Sequence, residues 1–183
     1  QRVLYNNDQT GGFLASNIAK DVFSRNNASL LSLAQKANTA IRAAMEQHGV
    51  DLTDKGALWN TSAAVVRVDQ DSFEWVQIGD SLVLAVYEDH SHEVLVPTFN
   101  HDLETLRIWQ AHARCAQDNI LCALHEQILK VRRCMNVTYG AMSGEEEAMS
   151  FLNHDSKSLQ GIAHILLFTD GLFIPKRDPG ERE

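Results

Sequence analysis

Cysteine is scarce in this sequence of 183 residues, and the few cysteines lack the spacing of the sites they most often build. They are Cys115, Cys122 and Cys134, and no two of them form a Cys-x-x-Cys pair. An odd number of cysteines without that spacing argues against a zinc site and against a disulfide framework. We therefore expect reduced thiols, buried or half-buried, on one helical segment.

The sequence also lacks a long apolar run and an excess of basic residues. No apolar run reaches the roughly 20 residues that a membrane span requires. Sixteen Lys and Arg against 24 Asp and Glu give a net charge of -8, whereas nucleic-acid phosphates require clustered Lys and Arg. The basic cluster at residues 130–133 is expected to be a solvated helix end. We expect no nucleic-acid partner, no membrane span and a cytoplasmic location, and the oligomeric state is left open.

The order of the predicted elements indicates an α+β domain in which helices cover the faces of sheets. Helices are predicted at residues 13–25 and 29–47, with Ser29 as the N-cap of the second. A run of short strands separated by turn residues then predicts an antiparallel meander. The predicted strands cover residues 63–68, 73–78, 82–87 and 93–96. The elements after them are a helical region at about 103–133, a short helix at 145–152 and a strand at 164–168, apolar enough for the centre of a sheet.

Two aspartates stand where strand-like apolar runs end. Asp80 lies in Gly-Asp-Ser at 79–81, and Asp170 lies in Thr-Asp-Gly at 169–171. A glycine beside an aspartate lets the backbone turn sharply and approach a ligand. The carboxylates could therefore reach a metal held between sheets, or they could be ordinary turn aspartates that bond their own backbone. Asp8, at the mouth of the first helix, is a third candidate.

A series of short motifs runs along nearly the whole chain in a fixed order. The motifs are Asp-Gln-Thr-Gly-Gly at 8–12, Leu-Ala-Ser-Asn-Ile-Ala at 14–19, Ala-Asn-Thr-Ala-Ile at 37–41, Asn-Thr-Ser-Ala at 60–63, Val-Gln-Ile-Gly-Asp-Ser at 76–81, Tyr-Gly at 139–140, residues 144–151 and Ile-Leu-Leu-Phe-Thr-Asp-Gly-Leu at 165–172. This ordered series resembles bacterial members of the type-2C family of protein serine/threonine phosphatases, and the order of the motifs is more specific than any one of them.

The resemblance implies a fold and a metal site. The fold is a four-layer α-β-β-α sandwich of two antiparallel sheets flanked by helices, formed by residues 1–183 as one domain that is incomplete at one or both ends. The cofactors are two or three Mn²⁺ or Mg²⁺ ions. By match, Asp170 binds one of the paired ions and Asp80 binds a third, looser ion. Asp8 bridges the pair, and the backbone carbonyl of Gln9 stands where the family has glycine.

The same resemblance implies hydrolysis of phosphoserine and phosphothreonine in proteins, so the expected partner is a phosphorylated protein. Two divalent ions lower the pKa of a shared water and neutralise the phosphoryl oxygens. The attack then needs no phosphoenzyme and no covalent catalytic side chain. Oxygen-only ligands suit Mg²⁺ and Mn²⁺ rather than Zn²⁺.

Several departures from the family pattern keep alternatives open. Gln9 replaces a glycine, and Leu82 replaces the arginine that usually follows Gly-Asp-Ser. The N-terminal strand with its phosphate-binding arginine and the C-terminal Asp-Asn motif are absent. The bridging aspartate could lie upstream of Gln1, which would leave Asp8 as a surface loop residue. The alternative function is a catalytically inactive type-2C-like module that binds a phosphoprotein or a partner domain. An unrelated α+β binding domain is a third hypothesis.

The histidines and tryptophans give weaker indications. His90 and His92 lie in a turn and are expected to be solvated, whereas His101 lies where the family has a variable flap near the substrate. The aromatic side chains of Trp59, Trp75 and Trp109 are expected to pack in the core or under the flap rather than to bind a cofactor.

Overall fold

A computed structural model describes residues 3–5, 8–24, 28–96, 103–113 and 120–169. Its helices are α1 Gly11–Ser24, α2 Leu30–Gln47, α3 Leu103–Ala113, α4 Ile120–Arg133 and a 3₁₀ helix at Glu146–Phe151. Its strands are β1 Leu4–Tyr5, β2 Gln9–Thr10, β3 Ala63–Val68, β4 Ser72–Ile78, β5 Leu82–Tyr87, β6 His92–Val94, β7 Asn153–Ser158 and β8 Ile162–Phe168. Most of these elements lie close to the predicted ranges.

Helices α1 and α2 pack against each other through small and aliphatic side chains. Leu33, Ala37 and Ile41 follow each other at intervals of four residues on α2, and all three are fully buried. This spacing puts them on one face, as the helical period requires. The predicted N-cap is confirmed, because the Ser29 hydroxyl accepts a hydrogen bond of 3.3 Å from the amide of Ser32.

The first sheet contains β3, β4 and β7 in that order, and both pairs are antiparallel. Strand β4 lies in the middle, and its last four residues are all buried. Both faces of this half of the strand are therefore covered. Strand β7 was not predicted, because its sequence, Asn-His-Asp-Ser-Lys-Ser, has no apolar alternation. A polar strand of this kind suits the edge position that it occupies here.

The second sheet contains β6, β5 and β8, again antiparallel. The prediction that β8 is a central strand is wrong for the described part of the chain, where β5 is central. Leu166 and Leu167 on β8 are 46% and 44% exposed, which fits an edge strand better than a central one. In the described residues, β8 therefore has β5 as its single strand partner.

The predicted four-strand meander is also wrong, because its strands divide between the two sheets. Strands β3 and β4 form one hairpin, and β5 and β6 form another. The chain passes from the first sheet to the second between Ile78 and Leu82, through the Gly-Asp-Ser segment. A turn that joins neighbouring strands would keep both in one sheet, whereas this segment moves the chain to a second layer.

Two apolar clusters hold the layers together. The first lies between the α1–α2 pair and the β3-β4-β7 sheet. The second lies between the two sheets, where Phe73 and Trp75 of the first sheet pack with Leu82 and Val83 of the second. The predicted α+β class with two antiparallel sheets is confirmed. The predicted helical region at 103–133 contains two helices, α3 and α4, which pack against each other.

Several smaller expectations can be compared with the structure. Cys134 is free and partly buried as expected, whereas the side chains of the other two cysteines lie outside the described set. His90 and His92 are exposed as expected, and His101 lies outside the described residues. Trp59 and Trp75 are buried, but Trp109 is 48% exposed. None of the helices described above combines the length and hydrophobicity that crossing a membrane demands.

Candidate metal centre

The Gly79–Asp80–Ser81 turn is the structural centre of the candidate site. Gly79 has a φ of +87°, a left-handed conformation that glycine adopts without steric cost. A Cβ atom placed on Gly79 would lie 2.6 Å from the Cβ of Ser62. Glycine is therefore required here for two reasons, its backbone angle and the close approach of Ser62. Asp80 follows directly and is partly buried.

One buried side chain fixes this turn from the inside. Gln77 is 1% exposed, and its Nε2 donates hydrogen bonds to the carbonyl oxygens of Gly79 and Ser81, at 2.6 and 2.8 Å. Its Oε1 accepts a hydrogen bond of 2.7 Å from the Nδ2 of Asn153 on β7. The carbonyl groups on both sides of Asp80 are thus bound to one donor that is itself held by the first sheet.

Two other segments converge on the turn. Ser62 precedes β3, and the residue before it, Thr61, exchanges two backbone hydrogen bonds of 3.1 and 3.0 Å with Met142. The carbonyl oxygen of Gly140 would lie 3.6 Å from a Cβ on Gly79. The Asn-Thr-Ser segment at 60–62, the Tyr-Gly segment at 139–140 and the Gly-Asp-Ser turn therefore lie together, although they are far apart in the sequence.

The start of helix α1 lies beside the same region. A Cβ placed on Gly11 would lie 2.2 Å from Cδ1 of Trp59, so only glycine lets the helix approach this ring so closely. One residue further on, Gly12 lies near the carbonyl oxygen of Asn60, at 3.6 Å from its Cβ position. The motif glycines of the sequence thus pack against the segment that leads to Ser62.

The predicted ligands Asp8 and Gln9 lie on the short hairpin that leads into α1. Asp8 is exposed and has a positive φ of 62°, a conformation that aspartate tolerates better than most residues. Gln9 is partly buried in β2, where it pairs with Tyr5 of β1. The hairpin joins the helix three residues after Asp8. Whether Asp8 binds a metal stays a prediction.

The predicted ligand Asp170 lies outside the described residues, so the structure does not test its role. The strand that precedes it is described. Phe168 on β8 pairs with Leu82 on β5, which is the second residue after Asp80. Because the pair is antiparallel, the last residue of β8 and the first residue of β5 lie side by side. The strand ends adjoining the two aspartates therefore meet at the same end of the sheet.

The donor chemistry of these residues fits a hard divalent cation. Carboxylate and carbonyl oxygens are the ligands that Mg²⁺ and Mn²⁺ prefer, and Asp80 and the Gln9 carbonyl supply such oxygens. Within the described part of the chain, no three His, Cys, Asp or Glu side chains are grouped to hold a metal ion. Of the predicted ligands, Asp170 lies outside the residues to which this statement applies.

Gln77 and Asn153 support the turn, although the sequence did not lead us to predict a role for either of them. Gln77 occupies an inward position in the period-2 pattern of β4, two residues after the buried Trp75. The signal that could have identified Gln77 is an amide side chain at an inward position of an apolar strand, two residues before a Gly-Asp pair. Asn153 gives no comparable signal, since β7 is polar throughout.

Glu145 anchors the loop that contains Gly140 and Met142. Its carboxylate pairs with Lys55 at 2.8 Å and accepts hydrogen bonds from Asn136 and Ser143 at 2.9 and 3.1 Å. Burial alone would raise the pKa of Glu145, but the hydrogen bonds from Lys55, Asn136 and Ser143 outweigh it and hold the pKa below the ordinary 4.5. The charged form of Glu145 therefore stabilises this loop.

We expect Glu145→Gln to destabilise the fold by about 1.5–3 kcal/mol at pH 7, the range for a hydrogen bond to a charged group. A carboxyl group with a lowered folded-state pKa contributes stability above its unfolded pKa and loses it as the pH falls through the folded pKa. The difference between variant and wild type should therefore shrink below about pH 4.5. Urea unfolding of both proteins at pH 7 and pH 3 measures this difference in the free energy of unfolding.

The matched control is Glu46→Gln. Glu46 forms an exposed i,i+4 pair with Arg42, and such pairs contribute only about 0.3–0.5 kcal/mol. The control should therefore change stability little at either pH. An equal loss at pH 7 and pH 3 for Glu145→Gln would contradict the proposed role of its charge.

The sequence has no match among protein-family models and none among curated proteins. Solved structures do match. A bacterial serine phosphatase has a TM-score of 0.55 and 19% identity, covering 88% of this chain and 62% of that chain. Serine/threonine phosphatase Stp1 from Staphylococcus aureus has a TM-score of 0.51 and 18% identity, covering 86% and 57%. The catalytic domain of serine/threonine protein phosphatase PstP, in complex with two manganese ions, has a TM-score of 0.52 and 19% identity, covering 90% and 64%.

The chain has a type-2C phosphatase-like fold. It spans about three fifths of the length of these structures. At such identities the likeness establishes the fold, and the chemistry must be argued from the residues of this chain. Within this fold, the start of α1, the Asn-Thr-Ser segment and the Gly-Asp-Ser turn of this chain lie close together.

Proposed function

We propose that this chain performs metal-dependent hydrolysis of phosphoserine and phosphothreonine in proteins. The observation that supports the proposal most is the position of Asp80. It lies on a turn fixed by Gln77, beside the end of the strand that leads to Asp170. The strand ends that adjoin Asp80 and Asp170 in the sequence meet at one end of the sheet, which supports a shared site for divalent cations.

In this proposal, Asp80, Asp170 and Asp8 with the Gln9 carbonyl hold two or three Mn²⁺ or Mg²⁺ ions. Bound as a pair, such ions lower the pKa of a water and neutralise phosphoryl oxygens for in-line displacement. The chain itself supplies negative charge to retain the ions and a rigid backbone to fix their positions. An aspartate upstream of Gln1 in place of Asp8 remains the alternative. The assignment of residues 1–183 to one domain and the cytoplasmic location also remain predictions.

The test is hydrolysis of p-nitrophenyl phosphate and of a phosphothreonine peptide. We expect phosphate release in the presence of Mn²⁺ and none after chelation with EDTA, with recovery when Mn²⁺ is added back. Phosphate release that persists after complete removal of divalent ions would contradict the metal dependence. Absence of release at every Mn²⁺ concentration would contradict the enzymatic proposal.

We expect Asp80→Asn to weaken activity and to raise the Mn²⁺ concentration needed for half-maximal activity by at least about tenfold. Mutation of a residue that only supports a metal ligand lowers metal affinity or activity by about 10–100-fold, and loss of the charge on a ligand itself should lower metal affinity at least as much. A Mn²⁺ titration of p-nitrophenyl phosphate hydrolysis measures the shift. Asp71→Asn is the control, because Asp71 is an exposed turn residue at the opposite end of β4. Identical titration curves for Asp80→Asn and wild type would remove Asp80 from the site.

A binding module without turnover is the second candidate, and Leu82 is the observation that favours it. Leu82 is 6% exposed and packs in the cluster between the sheets. The position after Gly-Asp-Ser, where the resembling family has arginine, is therefore apolar and buried here. A module of this kind would bind a phosphothreonine peptide in a calorimetric titration with Mn²⁺ present and release no phosphate from it.

A further inference from the structure

The hydrogen bonds of Gln77 fix the turn that carries Asp80. The inference about metal binding that follows rests on the proposed function. Gln77 uses one nitrogen to bind the carbonyl oxygens of both Gly79 and Ser81, and its oxygen is bound by Asn153. Ser81 is 3% exposed, so its carbonyl group lies in a region with little access to water. Buried carbonyl groups need hydrogen-bond partners, and Gln77 is the protein partner that these two share.

The turn is constrained from two sides. On one side, Ser62 lies so close to Gly79 that a Cβ there would meet it at 2.6 Å. On the other side, Gln77 binds the carbonyl groups that precede and follow Asp80. The backbone of Asp80 is therefore fixed before any cation binds. A carboxylate on a constrained backbone loses less entropy on binding a cation than one on a free loop.

We propose that Gln77 is a positioning residue for a divalent cation at Asp80, and that Asn153 orients the Gln77 amide for this task. Gln77 itself does not touch the cation. It acts through the Gly79 and Ser81 carbonyl groups, whose positions determine the position of the Asp80 backbone. The proposed cation site lies at the turn between β4 and β5. Strand β7 is the neighbour of β4 in the first sheet, and it contributes to this site through one side chain, Asn153.

The experiment measures Mn²⁺ binding by the full chain, by calorimetry and by the electron paramagnetic resonance signal of free Mn²⁺. Gln77→Met keeps the length of the side chain and removes all three of its hydrogen bonds. We expect its Kd for the Asp80-dependent ion to rise by about 10- to 100-fold, as for other residues that support metal ligands. Asn153→Ala removes the bond that orients the Gln77 amide, so the amide can turn away from the two carbonyl groups, and we expect the Kd to rise by a smaller factor.

Phe73→Leu is the control for general loss of stability. Phe73 is buried on the same strand, but at its other end, and it packs between the sheets. Its variant should destabilise the fold without changing the Kd for Mn²⁺. If Gln77→Met does not fold, Asn153→Ala decides, since a Kd equal to that of wild type would overturn the proposal.

The outcomes separate this inference from the proposed function. If wild type binds Mn²⁺ and Gln77→Met binds it with the same Kd, the positioning role is wrong and the proposed function stands. If wild type binds no Mn²⁺, both the proposed function and the positioning role are wrong. A weaker Kd in Gln77→Met, with an unchanged Kd in Phe73→Leu, supports the positioning role.

Discussion

Replacing Asp170 by asparagine is expected to abolish phosphate release from a phosphothreonine peptide. In the proposed site Asp170 contacts one of the paired cations directly, so the substitution removes a negative charge from the ion that the reaction depends on. Removal of a residue that only supports a metal ligand already lowers metal affinity or activity by about 10–100-fold. We therefore expect a loss of at least about 100-fold in kcat/KM, measured with saturating Mn²⁺ and again with a tenfold excess.

Asp155→Asn provides the matched control for this substitution. Asp155 is an exposed aspartate on β7, and its Oδ1 accepts a hydrogen bond of 2.8 Å from the amide of Ser156, which asparagine can also accept. This variant should keep wild-type rates and Mn²⁺ dependence. Wild-type rates in the Asp170→Asn variant would rule out the metal-binding role proposed for that residue and, with it, the strongest part of the hydrolase proposal.

Replacing Gly79 by alanine is expected to destabilise the fold by about 2–5 kcal/mol. A left-handed backbone costs a residue with a Cβ about 1–2 kcal/mol, and forcing extra volume into a packed site costs about 1–3 kcal/mol more. Both apply at Gly79, whose φ is +87° and whose Cβ position lies 2.6 Å from the Cβ of Ser62. Urea unfolding monitored by circular dichroism measures the loss.

The chain contains a control that separates these two contributions. Gly161 has a φ of +74°, but no atom other than those of the residue itself and its chain neighbours lies within 4 Å of its Cβ position. Gly161→Ala should therefore cost only the backbone part, about 1–2 kcal/mol. Adding Ser62→Gly to the Gly79→Ala variant should recover part of the remainder. Equal losses at the two glycines would show that the contact with Ser62 has no energetic consequence.

The helices and most strands could be predicted because their side-chain periods are local. Leu33, Ala37 and Ile41 mark the buried face of α2, and Phe73, Trp75 and Gln77 mark an inward face of β4. The division of the strands between two sheets has no such local signal. A Gly-Asp-Ser segment between two strands is compatible with a tight turn and with a crossing, and the choice depends on packing between the sheets. Strand β7 was missed because hydrogen bonds to β4 define it, and its own sequence carries no apolar pattern.

The candidate site was predicted in part. The sequence identified Asp80 by its place in a Gly-Asp-Ser turn at the end of a strand, and the structure brings that turn together with the segments around Ser62 and Gly140. The hydrogen bonds from Gln77 and Asn153 could not be predicted in the same way. The bond between Asn153 and Gln77 joins residues that are 76 positions apart in the chain, and only the pairing of β4 with β7 makes them neighbours. The two bonds from Gln77 to the turn span two and four positions, and no sequence pattern shows which carbonyl groups a buried amide binds.

The passage of the chain from one sheet to the other has a consequence for the order of folding. The β3–β4 hairpin needs only local contacts, whereas β5 must pair with β8, and the paired residues Leu82 and Phe168 are 86 positions apart. Contacts so distant in sequence form slowly, because closing the long loop costs entropy before any pairing compensates it. The turn at Asp80 acquires its surroundings only when both events are complete. Capture of Mn²⁺ by a refolding chain should therefore be a late kinetic phase that follows the appearance of helix and hairpin signals.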